Sequence, residues 1–144
     1  MHGKILVGLD GTEGGDRALD AAEKHARAAG MAVTICYVIP WSPFSFSTPE
    51  ENAMRHKRRE EELETAENKI LKPRREKLEA DGMLVDSIAR HGHPAKTLVA
   101  LADELEAEMI VVGRVGDTPM KTRLFGGTAA ALVQMAPCPV LVVP

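Results

Sequence analysis

Five apolar runs of strand length punctuate the chain: Ile5–Leu9, Ala32–Ile39, Val85–Ala89, Met109–Val112 and Val140–Val143. Most are continuous rather than alternating, as expected of strands covered on both faces. The third is more polar, which suits an edge. Segments of helical spacing separate them. From Asp16 to Ala29, the residues Ala18, Ala22, His25 or Ala26, and Ala29 fall on one stripe, and Gly30 supplies a stop. From Ala95 to Ala107, Leu98, Leu101, Ala102 and Leu105 repeat the pattern behind Pro94, a good first-turn residue. Between Pro49 and Ala80 a long charged stretch places Leu63, Ala66 and Ile70 at helical spacing, and Pro73 is expected to kink or break it. A short helix should follow Gly126-Gly127 and end near Ala136-Pro137. Strands alternating with helices through right-handed crossovers predict an α/β fold. The expected form is a doubly wound five-stranded parallel sheet, order 3-2-1-4-5, with helices on both faces and one domain spanning residues 1–144.

At 144 residues and 15.6 kDa the chain can bury one good core but not two. Its 44% apolar and 27% charged residues exclude a disordered chain. A net charge of −3 gives no basic field for nucleic acid or an anionic membrane surface. No apolar run approaches the roughly 18 residues of a membrane span. The opening Met1-His2-Gly3-Lys4 leads directly into the first strand without a signal-peptide profile. Two cysteines, Cys36 and Cys138, are too few for a disulfide framework and fit a reducing compartment. The expected location is therefore the cytoplasm.

In a doubly wound sheet, ligands bind at the carboxyl ends of the strands where the strand order reverses. Here that crevice lies between the first and fourth strands. The first ends in Asp10-Gly11-Thr12, and the fourth in Gly113-Arg114-Val115-Gly116. Nine residues later Gly126-Gly127-Thr128 opens the last helix. Glycines let backbone N–H groups approach a bulky anion, and a helix N-terminus adds oriented donors. Arg114, Lys121 and Arg123 add positive charge to the same stretch. The plainer readings are that the glycines make tight turns and that Asp10 caps the turn into the first helix.

Competing chemistries fare poorly. A response regulator needs a phosphoacceptor aspartate after the third strand, where the chain reads Arg90-His91-Gly92. There is neither a Gly-x4-Gly-Lys-[Ser/Thr] loop nor a Gly-x-Gly-x2-Gly turn after the first strand. His91 and His93 lack two further metal ligands and read as solvent-facing, whereas His25 reads as a packed core histidine. Cys36 and Cys138 fall on strands three spacings apart, roughly 14 Å, too far for a disulfide. Trp41, Phe44 and Phe46 could lid a pocket, form a partner surface or anchor their loop. The basic run Arg55 to Arg59 is balanced by Glu60-Glu61-Glu62 and reads as a solvated helix face. The last strand is a short apolar edge, which a twofold pairing would cover.

Gly113-x2-Gly116-x9-Gly126 resembles the phosphate-binding pattern of the universal stress protein family. Ile5 to Thr12, Gly92-His93-Pro94-Ala95 and Cys138 to Val143 resemble that family's opening strand, its entry to the third helix and its closing strand. The resemblance implies a small ATP-binding regulatory module of the stress response, with Mg²⁺ accompanying the nucleotide and little or no turnover. It implies that Asp10 lies near ribose and phosphates and that Val38 faces adenine through its main chain. Val112 leads into the loop, and Gly113, Gly116, Gly126, Gly127 and Thr128 wrap ribose and phosphates. It also implies a homodimer through the last strand. The sequence departs from the pattern at Gly127, where Ser or Thr is expected, with Thr128 one position later. Two alternatives stand beside this reading: a dimeric interaction protein of the same fold without nucleotide, and a slow ATPase with Asp10 holding the metal. No metal ligand set and no catalytic residue is expected beyond these.

Overall fold

The computed structural model describes residues 3–40, 48–114 and 127–144. Within them five strands form one parallel sheet: β1 Lys4–Leu9, β2 Ala32–Ile39, β3 Val85–His91, β4 Met109–Gly113 and β5 Val140–Val143. The order is β3-β2-β1-β4-β5, as the alternation of runs implies. Every pairing is parallel, with Gly8 opposite both Cys36 on β2 and Val112 on β4.

Helices cover both faces because successive strand residues point to opposite sides. On one face Ile5, Val7, Val33, Ile35 and Val111 pack with α1 (Glu13–Ala29), through Ala18, Leu19, Ala22 and Ala26. Leu71 and Leu78 join the same cluster. On the other face Leu6, Cys36, Val38, Ile110 and Val112 pack with α4 (Pro94–Leu105), through Ala95, Leu98, Leu101 and Ala102. Ala129 and Leu132 of α5 (Gly127–Met135) complete that cluster. Gly30 ends α1 in the left-handed conformation, φ 69°, returning its N–H to the Ala26 carbonyl. Small alanines along the α1 stripe let the helix sit close to the sheet. Among the described residues no helix is long and apolar enough to cross a membrane.

Three expectations need correction. Pro73 does not break the long charged helix. The chain runs through α2 (Pro49–Thr65), a π-helical segment Ala66–Leu71, and α3 (Lys72–Ala80). The wider turn absorbs the proline: the N–H of Lys72 bonds Glu67, five residues back, and Pro73 sits in the first turn of α3. His25 is exposed on α1 rather than packed, because the buried stripe runs through Ala22 and Ala26. The third strand extends two residues further, to His91, and that side chain is only 7% exposed. Its Nε2 lies 3.4 Å from Glu62 Oε1 of α2, so His91 does not face solvent. His93 has a different task. It is the N-cap of α4, its ring Nδ1 accepting from the Lys96 N–H at 3.3 Å ahead of Pro94.

Candidate functional site

A cleft of about 170 Å³ opens at the carboxyl end of β1, where the strand order reverses. Its floor is one level of the sheet, Cys36, Gly8 and Val112 side by side on β2, β1 and β4. Tyr37, Val38 and Pro40 continue one wall from the end of β2, and Pro94 and Leu98 of α4 face them. Asp10 and Gly15 line the side nearest α1. Gly113, Gly127, Thr128 and Ala129 close the side formed by β4 and the start of α5. Of the residues expected at the site, Asp10, Val38, Val112, Gly113, Gly127 and Thr128 thus line one cleft. Gly116 and Gly126 lie outside the described residues, as do Lys121, Arg123, Trp41, Phe44 and Phe46.

The glycines of this cleft have packing reasons of their own. A Cβ at Gly8 would stand 2.8 Å from Leu98 Cδ1 and 3.1 Å from Val112 Cγ1, so α4 approaches the sheet over a bare backbone. At Gly15 it would meet Asp10 Oδ1 at 3.0 Å and the Asp10 nitrogen at 3.3 Å. At Gly113 it would meet the Gly14 carbonyl oxygen at 2.8 Å. The first turn of α1 therefore packs backbone to backbone on the end of β4. Gly113 is explained by this contact without any ligand, a packing reason that the strand-end glycine spacing does not reveal. The same spacing does not single out Gly8 or Gly15. A glycine inside an apolar strand marks close approach, and that signal was available at Gly8.

Asp10 does cap the turn. Its Oδ1 accepts from the Thr12 N–H at 2.9 Å and from the Thr12 hydroxyl at 2.5 Å. Thr12 is the N-cap of α1 but makes no side-chain cap bond, because its hydroxyl is directed to Asp10. The two readings of Asp10 are compatible, since only Oδ1 is engaged in these bonds and the residue also lines the cleft. It is the one carboxylate among the described residues that line the cleft.

Cys36, fully buried beneath the cleft, has its thiol pushed up to about 12, chiefly by burial and with Arg90 opposing. It is a neutral packing group at physiological pH. Cys138 lies just before β5 rather than on it, and both cysteines are free thiols. Among the described residues no cluster of three His, Cys, Asp or Glu could hold a metal ion.

The comparisons agree with this architecture. The profile described as the universal stress protein family matches residues 1–144. The universal stress protein YxiE of Bacillus subtilis (strain 168) is 30% identical over 152 residues, covering 99% of each chain. The structure of the universal stress protein UspA from Lactobacillus plantarum superposes with a TM-score of 0.85 at 23% identity, over 99% of this chain and 98% of that one. A universal stress protein solved in complex with cAMP superposes with a TM-score of 0.69 at 25% identity, over 99% of this chain and 97% of that one. The sheet order, the cleft at its switch point and the match over the full sequence lead to one assignment: the chain belongs to the universal stress protein family.

Proposed function

We propose that the switch-point cleft binds an adenine nucleotide, ATP in the first instance, and that occupancy rather than turnover is the signal it provides. The observation that carries this reading is the composition of the cleft. Val38, Pro40 and Leu98 give the cleft an apolar slot for a base, and bare glycine backbone at Gly15, Gly113 and Gly127 lines the same cleft. A relative of the same fold was solved with cAMP, which supports the nucleotide class. The first turn of α5 begins at Gly127, within the cleft wall, and donors at such a helix start favour phosphate oxygens. Asp10 would hold the accompanying Mg²⁺, which typically takes one or two carboxylates plus phosphates and water.

Beside the departure at Gly127, Thr128 also lines the cleft and is half-buried, and in this reading its hydroxyl supplies part of what the expected one would. A hydrogen bond to a charged group contributes roughly 1.5–3 kcal/mol, or about one to two decades of affinity. Thr128→Val should therefore weaken ATP binding at least about tenfold, and Gly127→Ser should strengthen it by a similar factor. Thermal unfolding with graded Mg²⁺-ATP reads both, because a ligand at 100 times its Kd adds about 2.7 kcal/mol of stability. Unchanged ATP-dependent shifts in both variants would remove the proposed role of this helix start.

Little turnover is expected because Asp10 is assigned to the metal and no second carboxylate or histidine lines the described cleft to act as a base. Phosphate release no faster from the wild type than from Asp10→Ala is the expected result. β5 exposes part of every residue at the edge of the sheet and pairs only with β4 among the described strands. A twofold pairing along it would give a homodimer, which sedimentation equilibrium tests.

A further inference from the structure

The guanidinium of Arg74, at the start of α3, reaches two partners that meet at the Asp10 turn. Its Nε and Nη2 donate to the two carboxylate oxygens of Asp16, at 2.6 and 3.3 Å. Its Nη1 donates to the carbonyl of Ile70 at 2.9 Å. Asp16 stands in the first turn of α1, and its own N–H donates to the Thr12 carbonyl at 3.1 Å. Thr12 in turn donates twice to Asp10. Ile70 reaches the same turn from its other side. Gly11 has φ +82°, and the nearest atom to the place of its missing Cβ is Ile70 Cδ1, at 3.5 Å. Ile70 belongs to the π-helical segment, where carbonyls meet their donors one residue later, so Nη1 gives this carbonyl a side-chain donor. Only a planar fork makes all three contacts at once. An ammonium cannot.

We propose that Arg74 is a positioning residue of the cleft, holding the Asp10 carboxylate at the cleft wall by gripping the Asp10–Thr12 turn through Asp16 on one side and Ile70 on the other. The inference rests on reading the cleft as a nucleotide site. The strut itself, however, is visible without nucleotide. Asp16 is 49% exposed although Arg74 is only 20% exposed, so replacing Asp16 disturbs folding less than replacing Arg74.

The test uses Arg74→Met, Arg74→Lys and Asp16→Asn in the full chain, with two readouts. In the absence of nucleotide, amide exchange at Thr12 and Asp16 should accelerate about tenfold in all three variants. With Mg²⁺-ATP, the Kd should rise about tenfold, with Arg74→Lys rescuing little of it. In an Asp10→Asn background, Arg74→Met should add nothing further to the Kd, since Arg74 acts only through that carboxylate. Wild-type exchange at these amides, or a full tenfold loss on top of Asp10→Asn, would overturn the proposal. If the wild-type protein binds no nucleotide, the reading of the cleft fails, and the exchange data alone decide whether the strut exists. Should Arg74→Met not fold, the exposed Asp16→Asn carries the same test.

Discussion

A methyl group at Gly113 would sit 2.8 Å from the Gly14 carbonyl oxygen, and that atom belongs to a helix backbone with nowhere to go. Gly113→Ala should therefore destabilise the fold by about 1–3 kcal/mol through overpacking, read as a lower denaturant midpoint at unchanged slope. Any loss of ligand binding in that variant reports first on the seating of α1. Stability equal to the wild type would mean that the α1 turn is not pressed on β4. Cys36 gives a second prediction at this scale. Its folded thiol titrates near 12, while an unfolded cysteine titrates near 8.5. The unfolded state thus loses its proton first as pH rises, and stability falls by about 1.4 kcal/mol per pH unit between those values. Below pH 8 the residue contributes no slope. Denaturant unfolding of wild type and Cys36→Ala across pH 8 to 11 should show a steeper alkaline decline in the wild type, and parallel curves would contradict the burial of this thiol.

The long continuous helical arm makes its own demands at the scale of elements. Segments of 17, 6 and 9 residues follow one another without a break, about 48 Å of helix at 1.5 Å per residue. β3 has seven residues, about 23 Å. Since Glu62 meets His91 at the last residue of β3, the turns of α2 before it extend past the carboxyl edge of the sheet. No α2 residue is buried, whereas Ala66, Leu71 and Leu78 anchor the rest of the arm. Short helices without a buried face are marginal in water. Amides of residues 52–58 should therefore exchange at least a hundredfold faster than those of residues 75–79, as measured by hydrogen–deuterium exchange. Equal protection would show that the arm is held along its whole length. The sequence made the existence and kind of these elements legible, through five apolar runs and the Gly30 stop. It did not foresee that the chain stays helical through Pro73, because a proline rule written for α-helices does not anticipate a π-helical segment just ahead of the proline. It misplaced His25 and His91 because each depends on a one-residue choice of face, which Ala26 and the length of β3 decided.

At the scale of the whole molecule a cleft opens where the strand order reverses, and that place followed from strand order alone. Asp10, Val38, Val112, Gly113, Gly127 and Thr128, which the family resemblance implies for the site, all line the cleft. What spacing could not convey was the packing reason for one of these residues. The bond from Thr12 to Asp10 is local and was legible, whereas Gly113 seats the first turn of α1, and packing between distant segments is not written in local sequence. Arg74 and Asp16, 58 residues apart, are a further instance. The central claim is that this cleft takes an adenine nucleotide, and calorimetric titration of Mg²⁺-ATP into nucleotide-stripped protein tests it most directly. The expected result is saturable binding of one nucleotide per chain at micromolar strength, weakened by Thr128→Val and strengthened by Gly127→Ser. No heat up to millimolar ATP, in protein shown to be folded, would contradict the account and leave the β5 edge as the functional surface.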